Sequence, residues 1–405
     1  MFAPTHMKWL AAEGLDGAFS CFTSVEPHCG PTRVSGLTQS EIRARLGSNV
    51  RIEVRQQRSE LAWPEFGFED PEHPVAAQFR KDTADLVPEQ FDVFEVSRRV
   101  RALAPHVRNA IIEDDVQVCL REARKGSGLW CHHFSRIFGS VCSVNGYASR
   151  LVSLSTVDWR FEHAMCEVYV PEFGKWVVID TDFEHAYKRD GVWLNAVELC
   201  EAWRDVCSQL CPNGVSYAVR AKKVRANQHR ITEITGVHCV RFGDSDPDNY
   251  ERGMPFSPSG MNLELFEYVF IAMRDDYLSR DYLPGHPLRT RQFGFQFDGT
   301  DHVVGVCPEA IFVDADQIYA PLSLSWIDVT EIDPGKTANL RFSTYTPRFH
   351  SFRIRRDSGD WEQLAGNVLE GVALRTGISE VEVQAINSSG VSGETAVLRI
   401  VVSDE

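Results

Sequence analysis

Residues 126–142, GSGLWCHHFSRIFGSVC, constrain this chain more than any other stretch. Cys131, Phe134, Ile137, Phe138, Val141 and Cys142 recur at spacings of three and four, the apolar face of a helix with a 3.6-residue period. Ser127 or Gly128 is the expected N-cap. Cys131 then falls in the first turn, where unpaired backbone N–H groups and the helix dipole favour a thiolate. A cysteine that only fills space needs no such place.

Some thirty residues on, FEHAMCEVYVPEFGKWVVIDTDFEHAY reads as a hairpin. Two β-rich runs flank Pro171-Glu172-Phe173-Gly174, with Gly174 suited to a left-handed turn position. His163, Met165, Glu167 and Tyr169 share one face of the first strand, and Trp176, Val178 and Asp180 share one face of the second. Folding about residues 172–173 sets His163 nearly opposite Asp180, whose carboxylate is expected to accept the imidazole Nδ1–H. Asp182 shares that parity but is expected to lie beyond the paired region, with poorer reach.

A cysteine at a helix start with His and Asp on neighbouring strands is what a thiol nucleophile needs. The His takes the thiol proton and returns it to the leaving group, while the Asp holds the imidazole and stabilises its charged form. On GLWCHHFSRIF, NGYASRLVSL, HAMCEVYV and KWVVIDTD, in that order, the chain resembles the transglutaminase-like superfamily. The resemblance covers residues 126–183 and extends back to 88. It implies Cys131 as nucleophile, His163 as base and Asp180 as orienting acid, with Glu167, Trp130 and Trp176 as supporting residues. Animal transglutaminases carry Trp where His132 follows the nucleophile here, and proline often stands where Thr181 follows the acid.

The fold expected is α+β, a transglutaminase-like, papain-like core followed by a small immunoglobulin-like β-sandwich. We expect an irregular N-terminal region over 1–85 packing on the core, a catalytic domain over 86–330 and the sandwich over 331–405. Helices are expected over TQSEIRARL, from Pro88 through PEQFDVFEVSRRVRALA, over IEDDVQVCLREARKG, AVELCEAWRDVCSQL and LELFEYVFIAMRDDYL. Strands are expected at NVRIEVRQ, RQFGFQF and HVVGVC. They are also expected at TANLRFSTY, SFRIRR, EVEVQAIN and TAVLRIVV, with turns at Asp357-Ser358-Gly359 and Asn387-Ser388-Ser389-Gly390. Residues up to about 330 are expected to fold without the sandwich.

Composition narrows the partners. Lys and Arg number 42 against 57 Asp and Glu, a net charge of −15, so nucleic acid and anionic lipid are repelled. The longest apolar run, YVFIAM, is far short of a membrane span, and the N-terminus lacks the charged and apolar order of a secretory signal. Eleven cysteines lie scattered from Cys21 to Cys307, which fits reduced thiols in a cytoplasm.

No cofactor or metal is expected. Cys200, Cys207 and Cys211 lack a histidine and read as helix packing. GDSDPDNYERG lacks the Gly and Glu of a calcium loop, with Asn249 and Pro255 in those places. His132 and His133 read as surface or packing residues, and residues 273–287 as a helix end or a cleft lining. The expected reaction is attack of Cys131 on an amide or ester, with a peptide, glycopeptide or other amide as substrate. Hydrolysis of the thioester is the leading outcome. The alternatives are transamidation to an amine, and a non-catalytic binding or scaffold protein on the same fold.

Overall fold

The computed structural model describes residues 36–46, 50–55, 66–107, 115–155, 162–210, 222–223, 226–243, 263, 266, 268–272, 274–278, 292–296, 310–312, 319, 322–333 and 337–402. The chain forms two compact units. One comprises Met1–Val25, Pro64–Tyr169 and Trp176–Tyr319, and the other Glu26–Trp63, Val170–Lys175 and Ala320–Glu405. Both helices and sheets are present, so the architecture is α+β.

The first described elements are helix α1 (Gln39–Leu46) and strand β1 (Val50–Arg55). Both belong to the second unit.

In the first unit, α2 (Pro74–Asp82) is followed by α3 (Val93–Arg101) and α4 (Val116–Arg124). The expected start of α3 at Pro88 is displaced by one turn and more. Asp92 caps the helix, its carboxylate accepting the N–H groups of Phe94 and Glu95, and that bond outcompetes the conformational preference of Pro88. Asp115 caps α4 in the same way through the Val118 N–H at 2.9 Å. Gly126 at φ 88° ends that helix, a left-handed conformation glycine adopts without strain.

Helix α5 (Cys131–Val144) is the central element, packed against α2, α3, α4 and the following strand β2 (Ser149–Ser155). Phe134, Ile137, Phe138, Val141 and Cys142 are all fully buried. The N-cap is Trp130 rather than Ser127 or Gly128. The lead-in is spent differently: Leu129 bridges His106 as a short parallel pair, with Leu129 N–H on Pro105 O and Val107 N–H on Leu129 O. A Cβ at Gly128 would run into the Val107 side chain, so that glycine permits the close approach.

Next come β3 (Glu162–Val170), β4 (Lys175–Asp180), β5 (His185–Arg189), β6 (Val192–Trp193) and α6 (Ala196–Leu210). They are followed by α7 (Ile231–Thr235), β7 (Val237–Arg241), β8 (Tyr268–Ala272), β9 (Gln292–Gln296) and β10 (Ala310–Phe312). The strands make one sheet of order β10-β9-β8-β2-β3-β4-β5-β6, with β7 also on β5. Gly174, at φ 60°, closes the β3–β4 turn.

The helix expected over LELFEYVFIAMRDDYL is instead strand β8, hydrogen-bonded between β2 and β9. Val269 and Ile271 are fully buried, and an interior strand reads as a continuous apolar run that periodicity cannot tell from a helix. HVVGVC and GDSDPDNYERG beyond Gly243 lie outside the described residues, as do Cys211 and residues 279–287.

In the second unit, β11 (Ser325–Asp333), β12 (Thr337–Thr344) and β15 (Val368–Ala373) form one sheet. Strands β13 (Phe349–Arg356), β14 (Glu362–Leu364), β16 (Gly377–Asn387) and β17 (Ala396–Val402) form another, which β1 completes. Strand β1 pairs antiparallel with β17 from Val50↔Val402 to Arg55↔Val397. Leu340 and Phe342 of the first sheet share one apolar cluster with Phe352, Val383 and Leu398 of the second and with Ile42 of α1. Helix α1 and strand β1 therefore serve this unit, whereas the sequence suggested an irregular region packing on the catalytic core. A cut at 330 also falls inside β11, so a 1–330 fragment would carry a truncated strand and leave β1 without β17.

Candidate active site

Each candidate side chain is set by a different element. Cys131 is the first residue of α5 and is half-buried. His163 lies near the start of β3, paired with Leu154 of β2, and Asp180 ends β4. The His163 Nε2–H donates to Asp180 Oδ2 at 2.7 Å. The expected bond through Nδ1 is thus replaced by one through Nε2, which leaves Nδ1 for the thiol. Cys131 Sγ, a His163 ring nitrogen and an Asp182 carboxylate oxygen all lie within 4.8 Å of one another.

The electrostatics of the pair are mutual. Burial opposes the charge on His163, but the Asp180 and Cys131 charges and hydrogen bonds outweigh it and hold the imidazole pKa well above its usual range. Burial likewise works against the Asp180 carboxylate. The His163 charge and hydrogen bond, with His185 and the Phe183 N–H, nevertheless keep its pKa below the usual value. A carboxylate behind an imidazole thus stabilises the form that results when the ring has taken a thiol proton.

Asp180 has a further buried neighbour. His185 Nε2 is 3.7 Å from Asp180 Oδ2 and 2.8 Å from the Tyr187 hydroxyl. Burial, aided by the charge of His163, pushes the His185 pKa down. Tyr187 stays protonated because burial raises its pKa, so its O–H donates to the His185 nitrogen.

Asp182 is closer to the thiol than the strand register implied. The chain does not continue extended after Asp180 but turns over residues 181–184, with the Phe183 N–H donating to Asp180 Oδ1 at 3.1 Å. An Asp side chain that bonds backbone N–H groups just ahead favours such a turn. It brings Asp182 back beside His163, fully buried. There His106 Nδ1–H donates to its carboxylate at 2.9 Å, and Arg101 Nε–H donates to its backbone carbonyl at 2.8 Å. Neither His106 nor Arg101 carries a motif in the sequence. Only the parity shared by Asp180 and Asp182 pointed toward this cluster.

The supporting residues sit elsewhere in the unit. Glu167 accepts from Arg150 Nε–H at 2.8 Å, from the Tyr319 hydroxyl at 2.6 Å and from the Ala196 N–H at 2.6 Å, and its carboxylate pairs with the Arg150 guanidinium at 2.7 Å. The Arg150 guanidinium stacks 4.0 Å from the Trp176 ring and 4.6 Å from Tyr319. Glu167 and Trp176 therefore belong to a buried ion-pair cluster around Arg150. Trp130 positions the start of α5, its backbone N–H reaching His133 Nδ1 at 3.5 Å. His133 is buried, as its packing role requires.

Among the described residues no helix is long and apolar enough to cross a membrane. No protein-family model matches this chain, and no curated protein does either. Among solved structures it is similar to red sea bream transglutaminase, at 11% identity over 91% of this chain and 79% of that one, with a TM-score of 0.23.

Proposed function

We propose that the chain is a transglutaminase-like thiol acyl-transfer enzyme in which Cys131 attacks an amide or ester carbonyl. The observation that carries this reading is the His163 ring, held through Nε2 by Asp180 at 2.7 Å and with a ring nitrogen within 4.8 Å of the Cys131 thiol. His163 accepts the proton of Cys131 and passes it to the leaving amine, and the amide carbon–nitrogen bond breaks as the thioester forms. The first-turn N–H groups of α5 are the natural donors to the developing oxyanion. Water, deprotonated by His163, then releases the acid, so we assign hydrolysis of a peptide, glycopeptide or other amide. The second unit is read as an immunoglobulin-like sandwich that binds substrate. Cys131, Cys142, Cys166 and Cys239 are free thiols, which supports a reducing, cytoplasmic setting.

Intact-mass analysis after exposure to a mixed peptide and glycopeptide library tests the reading. A single acyl adduct that maps to Cys131 and decays in water is expected. Capture of the acyl group by an added primary amine in preference to water would make the enzyme a transamidase. Absence of any adduct, with Cys131 no more reactive to iodoacetamide than a buried thiol such as Cys119, would leave a binding or scaffold protein.

A further inference from the structure

The thiol and imidazole of the proposed triad have a third neighbour that acyl transfer does not require. Cys131, His163 and Asp182 each offer one ligand atom, and these three atoms lie within 4.8 Å of one another. We propose that they form a site for a thiophilic divalent cation of the zinc class, which reversibly ties up the nucleophile.

The donor set is one sulfur, one imidazole nitrogen and one carboxylate oxygen, which suits zinc. Three protein ligands leave a fourth tetrahedral position for water, and half-buried Cys131 supplies the path inward. Bond lengths near 2.0–2.3 Å put tetrahedral ligands about 3.3–3.6 Å apart, so small side-chain shifts close a set that already falls within 4.8 Å.

Two of the ligands already have the outer partners such sites use. Asp180 takes the Nε2–H of His163 and so directs the Nδ1 lone pair outward, the carboxylate–histidine–metal pattern. His106 Nδ1–H orients the Asp182 carboxylate at 2.9 Å. The charges also favour a dication. Cys131 Sγ and the Asp180 and Asp182 carboxylates surround one imidazole, while the Arg101 guanidinium stands 3.7 Å from Asp182.

On binding, the cation takes the place of the thiol proton, which leaves to solvent, and it occupies the Nδ1 lone pair. Both groups needed for attack are then engaged until a chelator removes the ion. The coordination does not depend on acyl transfer, although its effect on turnover rests on that reading.

The test titrates the full-length protein with Co2+, followed by displacement with Zn2+. One equivalent of Co2+ is expected to produce a thiolate-to-metal charge-transfer band, which Zn2+ abolishes. Cys131→Ser should remove the band, and Asp182→Asn should weaken Zn2+ binding about 10-fold or more, with His106→Gln in the range of about 10–100-fold typical of outer-shell changes. A band retained in Cys131→Ser overturns the site. So does unchanged Zn2+ affinity in a folded Asp182→Asn protein or, should that variant unfold, in His106→Gln. Because binding is read without substrate, the two proposals fail separately. A chain that takes the cation here but forms no acyl adduct loses only the enzymatic reading, and the reverse result loses only this one.

Discussion

In the first unit Arg150, His163, Glu167, Asp180, Asp182 and His185 are between 0 and 5% exposed. The second unit centres on Leu340, Phe342, Phe352, Val383 and Leu398. Its charge pairs, such as Arg355–Glu382 and Arg399–Glu380, lie on more accessible faces. Taking an ion out of water costs several kcal/mol even after relaxation. A region that keeps so many buried charges is organised around chemistry, whereas the other is organised around its apolar core.

The largest effect expected is chemical and confined to the first unit. Cys131→Ala should lower turnover by about four orders of magnitude or more, while the melting temperature moves by only about 2–4 °C. A Cys131→Ser protein that keeps turnover while Cys131→Ala unfolds would break the contrast and make Cys131 structural. Asp180→Asn follows, with a loss of up to about four orders of magnitude in rate, because an amide favours the wrong imidazole tautomer. Asp182→Asn should cost less rate. If kinetics rank the two in the opposite order, Asp182 is the orienting acid.

Stability sharpens the same comparison. Arg150→Met leaves Glu167 charged and buried, and should cost about 3–5 kcal/mol in denaturant unfolding. Arg355→Met, which breaks the Arg355–Glu382 pair of the second unit, should leave the unfolding midpoint unchanged within replicate error. Equal losses at the two positions would remove the distinction between the units.

The smallest effect is in pH dependence. The His163–Asp180 pair contributes fully between the ordinary carboxylate pKa of 3.8 and the ordinary imidazole pKa of 6.5. His163 has a raised folded pKa, so its contribution is lost as pH climbs from 6.5 through that value. Asp180 has a lowered one, so its contribution is lost as pH falls from 3.8 through it. Melting curves across pH should show Asp180→Asn flattening both limbs relative to the native chain. Parallel curves would mean that the two groups are not coupled.

Local pattern was enough for Cys131 at a helix start, for the β3–β4 hairpin with Gly174 in its turn, and for strands β12, β13, β16 and β17. Each of these rests on a period or turn chemistry carried by neighbours in sequence. The same logic failed where the deciding partner was distant. Strand β8 looked helical because a short continuous apolar run has no period that tells a strand from a helix. Trp130 took the cap because Gly128 was needed beside Val107. Asp182 was placed too far away because a turn, not a strand, follows Asp180.

The sequence by itself determined the order and type of the candidate triad, since Cys131, His163 and Asp180 sit on elements with strong local signals. Only the tertiary structure decided which imidazole nitrogen meets the carboxylate, that Asp182 comes beside the thiol with His106 bonded to it, and that β1 completes a sheet with β17, its partners 342 to 352 residues away in sequence. Hydrogen-bond partners and strand edges are chosen by atoms brought together in space, and neither periodicity nor spacing encodes that choice.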